Sequence, residues 1–130
     1  MVLLNLREKA SQQSITMKIH YLEIVTPDVE AVCKAYEHSQ NASFSQPDEM
    51  LGGAKTSLLQ DGSILGVRGP LRENETPVVR PYYLVDDIEA AVQHVEAQGA
   101  EIAMTPMEIS EKGKFAIYII GGIEQGFWEL

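Results

Sequence analysis

Apolar residues along the chain switch from a strand-like to a helix-like period twice, in the same local context. Tyr21-Leu22-Glu23-Ile24-Val25 is a short β-rich run, and beyond Thr26-Pro27-Asp28 the apolar positions recur as Val29, Val32, Cys33 and Tyr36. The run Tyr82-Tyr83-Leu84-Val85 is followed, beyond Asp86-Asp87, by Ile88, Ala91, Val92 and Val95. Setting Asp28 against Asp87 places the copies 59 residues apart and matches Val29 with Ile88, Glu30 with Glu89, Ala31 with Ala90 and Cys33 with Val92. A period of two followed by i, i+3, i+4, i+7 predicts a strand feeding an amphipathic helix in each copy. The junctions supply capping oxygens, a proline with φ set for a first turn, and acids at the positive helix end. Gly99 suits the position just past the second helix. The first helix has no such glycine, and its end falls near Ser39.

The strands predicted, in order, are Lys18 to Val25, a weak one at Ala42 to Ser45, Lys55 to Gln60 and Ser63 to Val67. A polar linker over 68–79 leads to the second copy, with strands from Arg80, at Glu101 to Met104, Lys114 to Ile120 and Gly126 to Leu130. Asp61-Gly62 is the pair a type I′ hairpin requires, and Lys112-Gly113 makes the turn before a long strand. Alternation puts Ile19, Tyr21, Glu23 and Val25 on one face of the first strand, with His20, Leu22 and Ile24 on the other. Residues 1–16 have no counterpart before the second copy. Two readings stand for them: a short docked helix using Val2, Leu3 and Leu6, or an upstream start, with Met17 opening the domain.

At 130 residues the chain is one domain by size, and each half alone would be marginal, so the halves must share a core. A net charge of −9 opposes nucleic acid as a partner, since phosphate contacts need clustered Lys or Arg. There is no apolar run long enough to span a membrane, and the opening Met-Val-Leu-Leu is too short for a signal peptide. One cysteine cannot close an internal disulfide. Cys33, on the buried helix stripe, reads as an inert core thiol, and a cytoplasmic location follows as the default. His20, His38 and His94 show no metal-ligand spacing and read as structural or solvated. Leu51-Gly52-Gly53-Ala54 reads as a turn, and Met104 and Met107 as core filling.

Strand, helix, then three strands, twice over, resembles the βαβββ repeat of the vicinal oxygen chelate superfamily, which includes the glyoxalases and bleomycin-resistance proteins. The likeness is carried by Tyr83 to Val92, the Gly99 spacing, and Pro106-Met107-Glu108-Ile109 leading to Gly113-Lys114-Phe115-Ala116, and more weakly by Tyr21 to Asp28. It departs at Gly121 to Gly126, where the family has Asp-Pro-x-Gly, and at Ala35-Tyr36 and Asn41 to Phe44, where it has Phe-Tyr and Phe-Gly. The resemblance implies an α+β fold over 17–130, with module one at 17–67 and module two at 80–130 lying edge to edge. Their eight-stranded curved sheet would surround one cleft, and the protein would be a homodimer.

Metal-using members hold their ion with a His or Gln on the first strand of each module and a Glu on the last. Carried over, these positions fall on Tyr21, Arg80, the end of Ser63 to Val67, and Glu129, of which only Glu129 suits a metal. The implied cleft therefore holds no metal and needs no cofactor. It presents Tyr21, Glu23, Arg80, Tyr82, Phe127 and Glu129. In a functional reading Arg80, with Tyr21, Tyr82 and Phe127, binds a small anionic or carbonyl ligand while Glu23 or Glu129 serves as acid or base. In a structural reading Arg80 pairs with Glu23 and Glu129. Three classes stay open: a metal-independent lyase or isomerase acting on a small carbonyl or carboxylate compound, a non-catalytic protein that sequesters a drug or toxin, and a structural interaction domain.

Overall fold

The computed structural model describes residues 17–130, so both readings of residues 1–16 lie outside the described residues. Seven strands form one mixed sheet in the order β2-β3-β1-β4-β7-β6-β5. They are β1 (Ile19–Val25), β2 (Lys55–Leu58), β3 (Ile64–Arg68), β4 (Val78–Leu84), β5 (Glu101–Ile109), β6 (Gly113–Ile120) and β7 (Ile123–Glu129). Two helices, α1 (Val29–Gln40) and α2 (Ile88–Ala97), follow β1 and β4 as the change of period predicts.

Asp87 caps α2, its side chain accepting from Ala90 N at 3.1 Å, whereas Asp28 makes no side-chain cap on α1. Instead Thr26 Oγ1 accepts from Asp28 N, fixing the entry to α1. Asn41 in the left-handed region (φ 60°) does for α1 what the glycine at position 99 (φ 104°) does past α2. Leu22, Ile24, Cys33, Leu65 and Val67 pack together under α1, with Cys33 buried as a core thiol. Ile88, Val92, Ala116 and Phe127 form the corresponding cluster under α2.

β1 pairs in parallel with β3, β4 in parallel with β7, and the two groups join through the antiparallel ladder between β1 and β4. In that ladder Tyr21 opposes Tyr82 and Glu23 opposes Arg80, on either side of Leu22 and Pro81. This is the crossing that a local two-fold makes of copies 59 apart, because Tyr21 then corresponds to Arg80 and Glu23 to Tyr82.

The expected eighth strand is absent among the described residues. The Ala42 to Ser45 segment lies along β2 with one backbone bond, Ser45 N to Thr56 O at 2.8 Å. Hydroxyls take the place of further ladder carbonyls, as Ser45 Oγ accepts from Thr56 N and Ser57 Oγ from Ser43 N. The Asp61-Gly62 turn also differs from expectation. Only Gly62 has positive φ (88°), which excludes type I′, and Asp61 Oδ1 instead accepts from Ser63 N at 3.0 Å.

Candidate functional site

On the sheet face away from the helices lies a cavity of about 570 Å³. Its floor is the β1–β4 ladder. Its walls are the short 3-10 turn Glu49–Leu51, the connection from β3 to β4, and the inward side of β5 and β6. Tyr21, Glu23, Arg80 and Tyr82 all line it, as alternation on β1 and β4 predicts, and each is buried.

Phe127 and Glu129 are not on this face. Phe127 stacks on Tyr118 at 4.6 Å in the cluster under α2, and Glu129 Oε1 accepts from Ile88 N at 2.9 Å, satisfying the start of that helix. Glu124, Gly126 and Trp128 occupy the cavity side of β7. Sequence alternation could not choose between them, because each face of β7 carries one carboxylate and one large aromatic residue. Trp128 decides it by packing with Tyr21, Tyr82 and Phe115, a cluster with nearest ring centroids 5.5–6.2 Å apart. His20 likewise leaves the face expected for it with Leu22 and Ile24. An irregularity in β1 between Ile19 and Tyr21 brings its ring to 5.4 Å from Trp128, and burial lowers its pKa.

The polar floor is an ion network centred on Glu23. Its Oε2 accepts from Arg68 Nε at 2.9 Å, and its Oε1 from Arg80 Nη1 and from the Tyr82 hydroxyl, the latter at 3.0 Å. Arg68 also forks onto Glu75 through Nη1 and Nη2, both at 2.9 Å, and Arg80 Nη2 pairs with Glu124. Glu124 therefore takes the place expected for Glu129 beside Arg80. Burial pushes the Tyr21 and Tyr82 phenols well above their ordinary pKa, with the Glu23 carboxylate adding to the effect. Burial opposes the charge on Arg68, but its hydrogen bonds to Glu75 and Glu23 outweigh this and raise its pKa.

Arg68, Glu75 and Glu124 were missed as site residues. Arg68 ends β3 on the face shared with Glu23, beside the position where the resemblance implies a metal ligand. It is buried and belongs to the strand rather than to a polar linker. A charge pattern was available there, since an arginine closing an apolar strand needs a buried acid. Glu75 could not be found this way, because its pairing depends on the path by which the connection folds back. Met104 and Met107 line the cavity wall rather than fill a closed core.

The donor set does not fit a divalent cation. The positions implied for ligands hold Tyr21, Arg80 and a β3 strand that ends in a second guanidinium, while Glu129 caps a helix. The one central carboxylate already receives two guanidiniums and a phenol.

Glu75 gives the floor a pH dependence. Hydrogen bonds from Arg68 and the Leu71 amide outweigh burial and hold its carboxyl at about 2, below the ordinary 4.5. A depressed folded-state value contributes stability that is present above about pH 4.5 and is lost as pH falls through about 2. Thermal midpoints measured from about pH 5 down to about pH 2 should therefore fall more for wild type than for Glu75→Gln. Parallel curves would show that Glu75 is not part of the acid response.

No family model matches the chain. Anthracycline biosynthesis protein DnrV of Streptomyces peucetius is 24% identical over 114 residues, covering 75% of this chain and 41% of that protein, so the chain spans about two fifths of the relative's length. Among solved structures, hypothetical protein BH1468 from Bacillus halodurans superposes with a TM-score of 0.69 at 18% identity, covering 89% of this chain and 96% of that one. Streptomyces coelicolor methylmalonyl-CoA epimerase, in complex with 2-nitronate-propionyl-CoA, does so with 0.64 at 15% identity, covering 88% and 98%. The Mycobacterium tuberculosis methylmalonyl-CoA epimerase gives 0.62 at 15%, covering 85% and 86%. At these identities the likeness is one of fold, and the fold that this chain shares with them is that of the vicinal oxygen chelate, or glyoxalase-like, proteins.

Proposed function

We propose that the protein binds a small apolar molecule in the cavity above the β1–β4 ladder, as a receptor or sequestering protein rather than as an acid-base catalyst. The observation that carries this is the contrast between wall and floor. The wall is aromatic and soft, with Trp128, Phe115, Ile117, Met104 and Met107 facing one space of about 570 Å³, a size typical of ligand sites. The carboxylate at the centre of the floor is already engaged, because each Glu23 oxygen accepts from a guanidinium and Oε1 also from the Tyr82 hydroxyl, so three of its roughly four acceptor sites are taken. Acid-base work by Glu23 is thereby disfavoured, and Glu129 lies outside the cavity. A lyase or isomerase activity on a small carbonyl compound would need another base.

The relative named for anthracycline biosynthesis is compatible with a polycyclic ligand, and the epimerase structures with an acyl compound. Neither decides the occupant. The same proposal describes 17–130 as one glyoxalase-like domain of two modules, dimeric and cytoplasmic. The nine-residue edge strand β5, with one side of its backbone unpaired, supports association.

Nile red, a neutral dye whose emission rises on leaving water, tests the binding reading. A saturable one-to-one rise is expected, with Kd on the order of micromolar. Ala103→Trp, which fills the cavity from exposed wall position 103, should weaken binding at least about tenfold. No rise, or equal affinity in Ala103→Trp, would sink the proposal.

A further inference from the structure

We infer that the ligand is electrically neutral and enters the site through a hydrogen-bond acceptor, a carbonyl or ether oxygen, received by the Tyr21 hydroxyl. This deepens the binding reading above and rests on it. Among the described residues two buried side-chain polar atoms have no partner, Tyr21 Oη and Arg80 Nε, and both belong to residues on the floor of this one cavity. Arg80 Nε can only donate, and a phenol held protonated by burial donates readily. The phenol oxygen can also accept, but only an occupant that brings an acceptor can meet Arg80 Nε as well as the phenol, and a buried polar group left unpaired is costly.

The place of the phenol is built into the sheet. Tyr21 is 2% exposed, and its ring reaches from β1 across to β3 over Gly66. A Cβ at position 66 would lie 1.9 Å from the hydroxyl oxygen, so only glycine there lets the phenol occupy the floor beside Glu23 and Arg68.

Charge then opposes an anion. Arg68 is held by Glu23 and Glu75, and Arg80 by Glu23 and Glu124, so neither floor guanidinium offers a free charge, and Arg72, the third in the lining, is exposed and screened by solvent. The whole lining carries five glutamates (23, 49, 75, 108, 124) against three arginines (68, 72, 80), an excess of two negative charges. A carboxylate would have to break an existing pair and enter a field of its own sign. An ammonium would suit the field but could meet only the phenol oxygen, leaving Arg80 Nε unpaired. A neutral acceptor meets both conditions, and this reverses the expectation of an anion anchored by Arg80.

Four probes sharing one ring separate these cases by calorimetry: 2-acetylnaphthalene, 2-ethylnaphthalene, 2-naphthoate and (2-naphthyl)methylammonium. The ketone should bind wild type about tenfold more tightly than the ethyl compound, with both ions weaker than the ketone. Tyr21→Phe removes only an unpartnered hydroxyl, so its thermal midpoint should hold or rise. It should bind the ketone and the ethyl compound equally, with the ethyl affinity unchanged. A ketone preference that survives in Tyr21→Phe, or tightest binding of either ion, overturns the inference. If ketone and ethyl bind wild type equally, and Ala103→Trp blocks both, the cavity reading stands and this inference falls. If no probe binds, or Ala103→Trp changes nothing, both fall.

Discussion

Glu23→Gln is expected to cost about 3 kcal/mol of stability, roughly a 10 °C drop in thermal midpoint for a domain of this size. The substitution keeps the shape of the side chain and removes its charge. Glu23 is 6% exposed and, among the described residues, is the only acceptor common to two guanidiniums, each itself buried. An amide offers one oxygen where two were used and turns an NH2 toward a cationic donor, so at least one guanidinium loses a buried partner. The cost is held near the lower end of what breaking a buried pair does, because Arg68 keeps its fork onto Glu75 and Arg80 keeps Glu124. Glu124→Gln is the comparison. Its carboxylate is 39% exposed, and screening should limit the loss to less than about 1 kcal/mol. Urea unfolding of the two variants measures the contrast. Equal losses would show that the network does not converge on Glu23.

Gly126→Ala should destabilise by a similar amount, about 3 kcal/mol, through crowding alone. A Cβ at 126 would stand 2.3 Å from Tyr82 Cδ2 and 2.7 Å from the carbonyl oxygen of Ala116. The carbonyl belongs to the neighbouring strand and cannot withdraw without opening the β6–β7 ladder, so the tyrosine ring must move. Moving it breaks the bond from Tyr82 to Glu23 and disturbs the contact with Trp128, which couples the stability loss to a loss of Nile red binding. Gly69→Ala is the control: the nearest atom to its Cβ would be 3.9 Å away and its φ is ordinary, so both stability and binding should be close to wild type. A Gly126→Ala protein with unchanged midpoint and affinity would mean that the Tyr82 ring has room the structure does not show.

Most of the fold was legible because its signals are local. The switch from period two to period 3.6 places α1 and α2, and β1 alternates in sequence as it does in space over Tyr21 to Val25. Gly99 marks the end of one helix; Asn41 does the same for the other, but asparagine at a left-handed position carries a weaker signal than glycine. The weak strand at Ala42 to Ser45 failed because its serines bond to β2 through hydroxyls, which satisfies the edge without a ladder.

The sequence by itself determined that two strand-helix copies exist, 59 residues apart, and that Tyr21, Glu23, Arg80 and Tyr82 share one face. Those facts follow from backbone periods, which any chain with this pattern must obey. Which acids complete the site was decided only by tertiary structure. Glu75 arrives by the return of a connecting loop, Glu124 by the face that β7 presents, and Glu129 is withdrawn to the start of α2. A strand with equal polarity on both faces takes its orientation from packing, and here the bulk of Trp128 filling the aromatic cluster outweighs the exchange of one carboxylate for another.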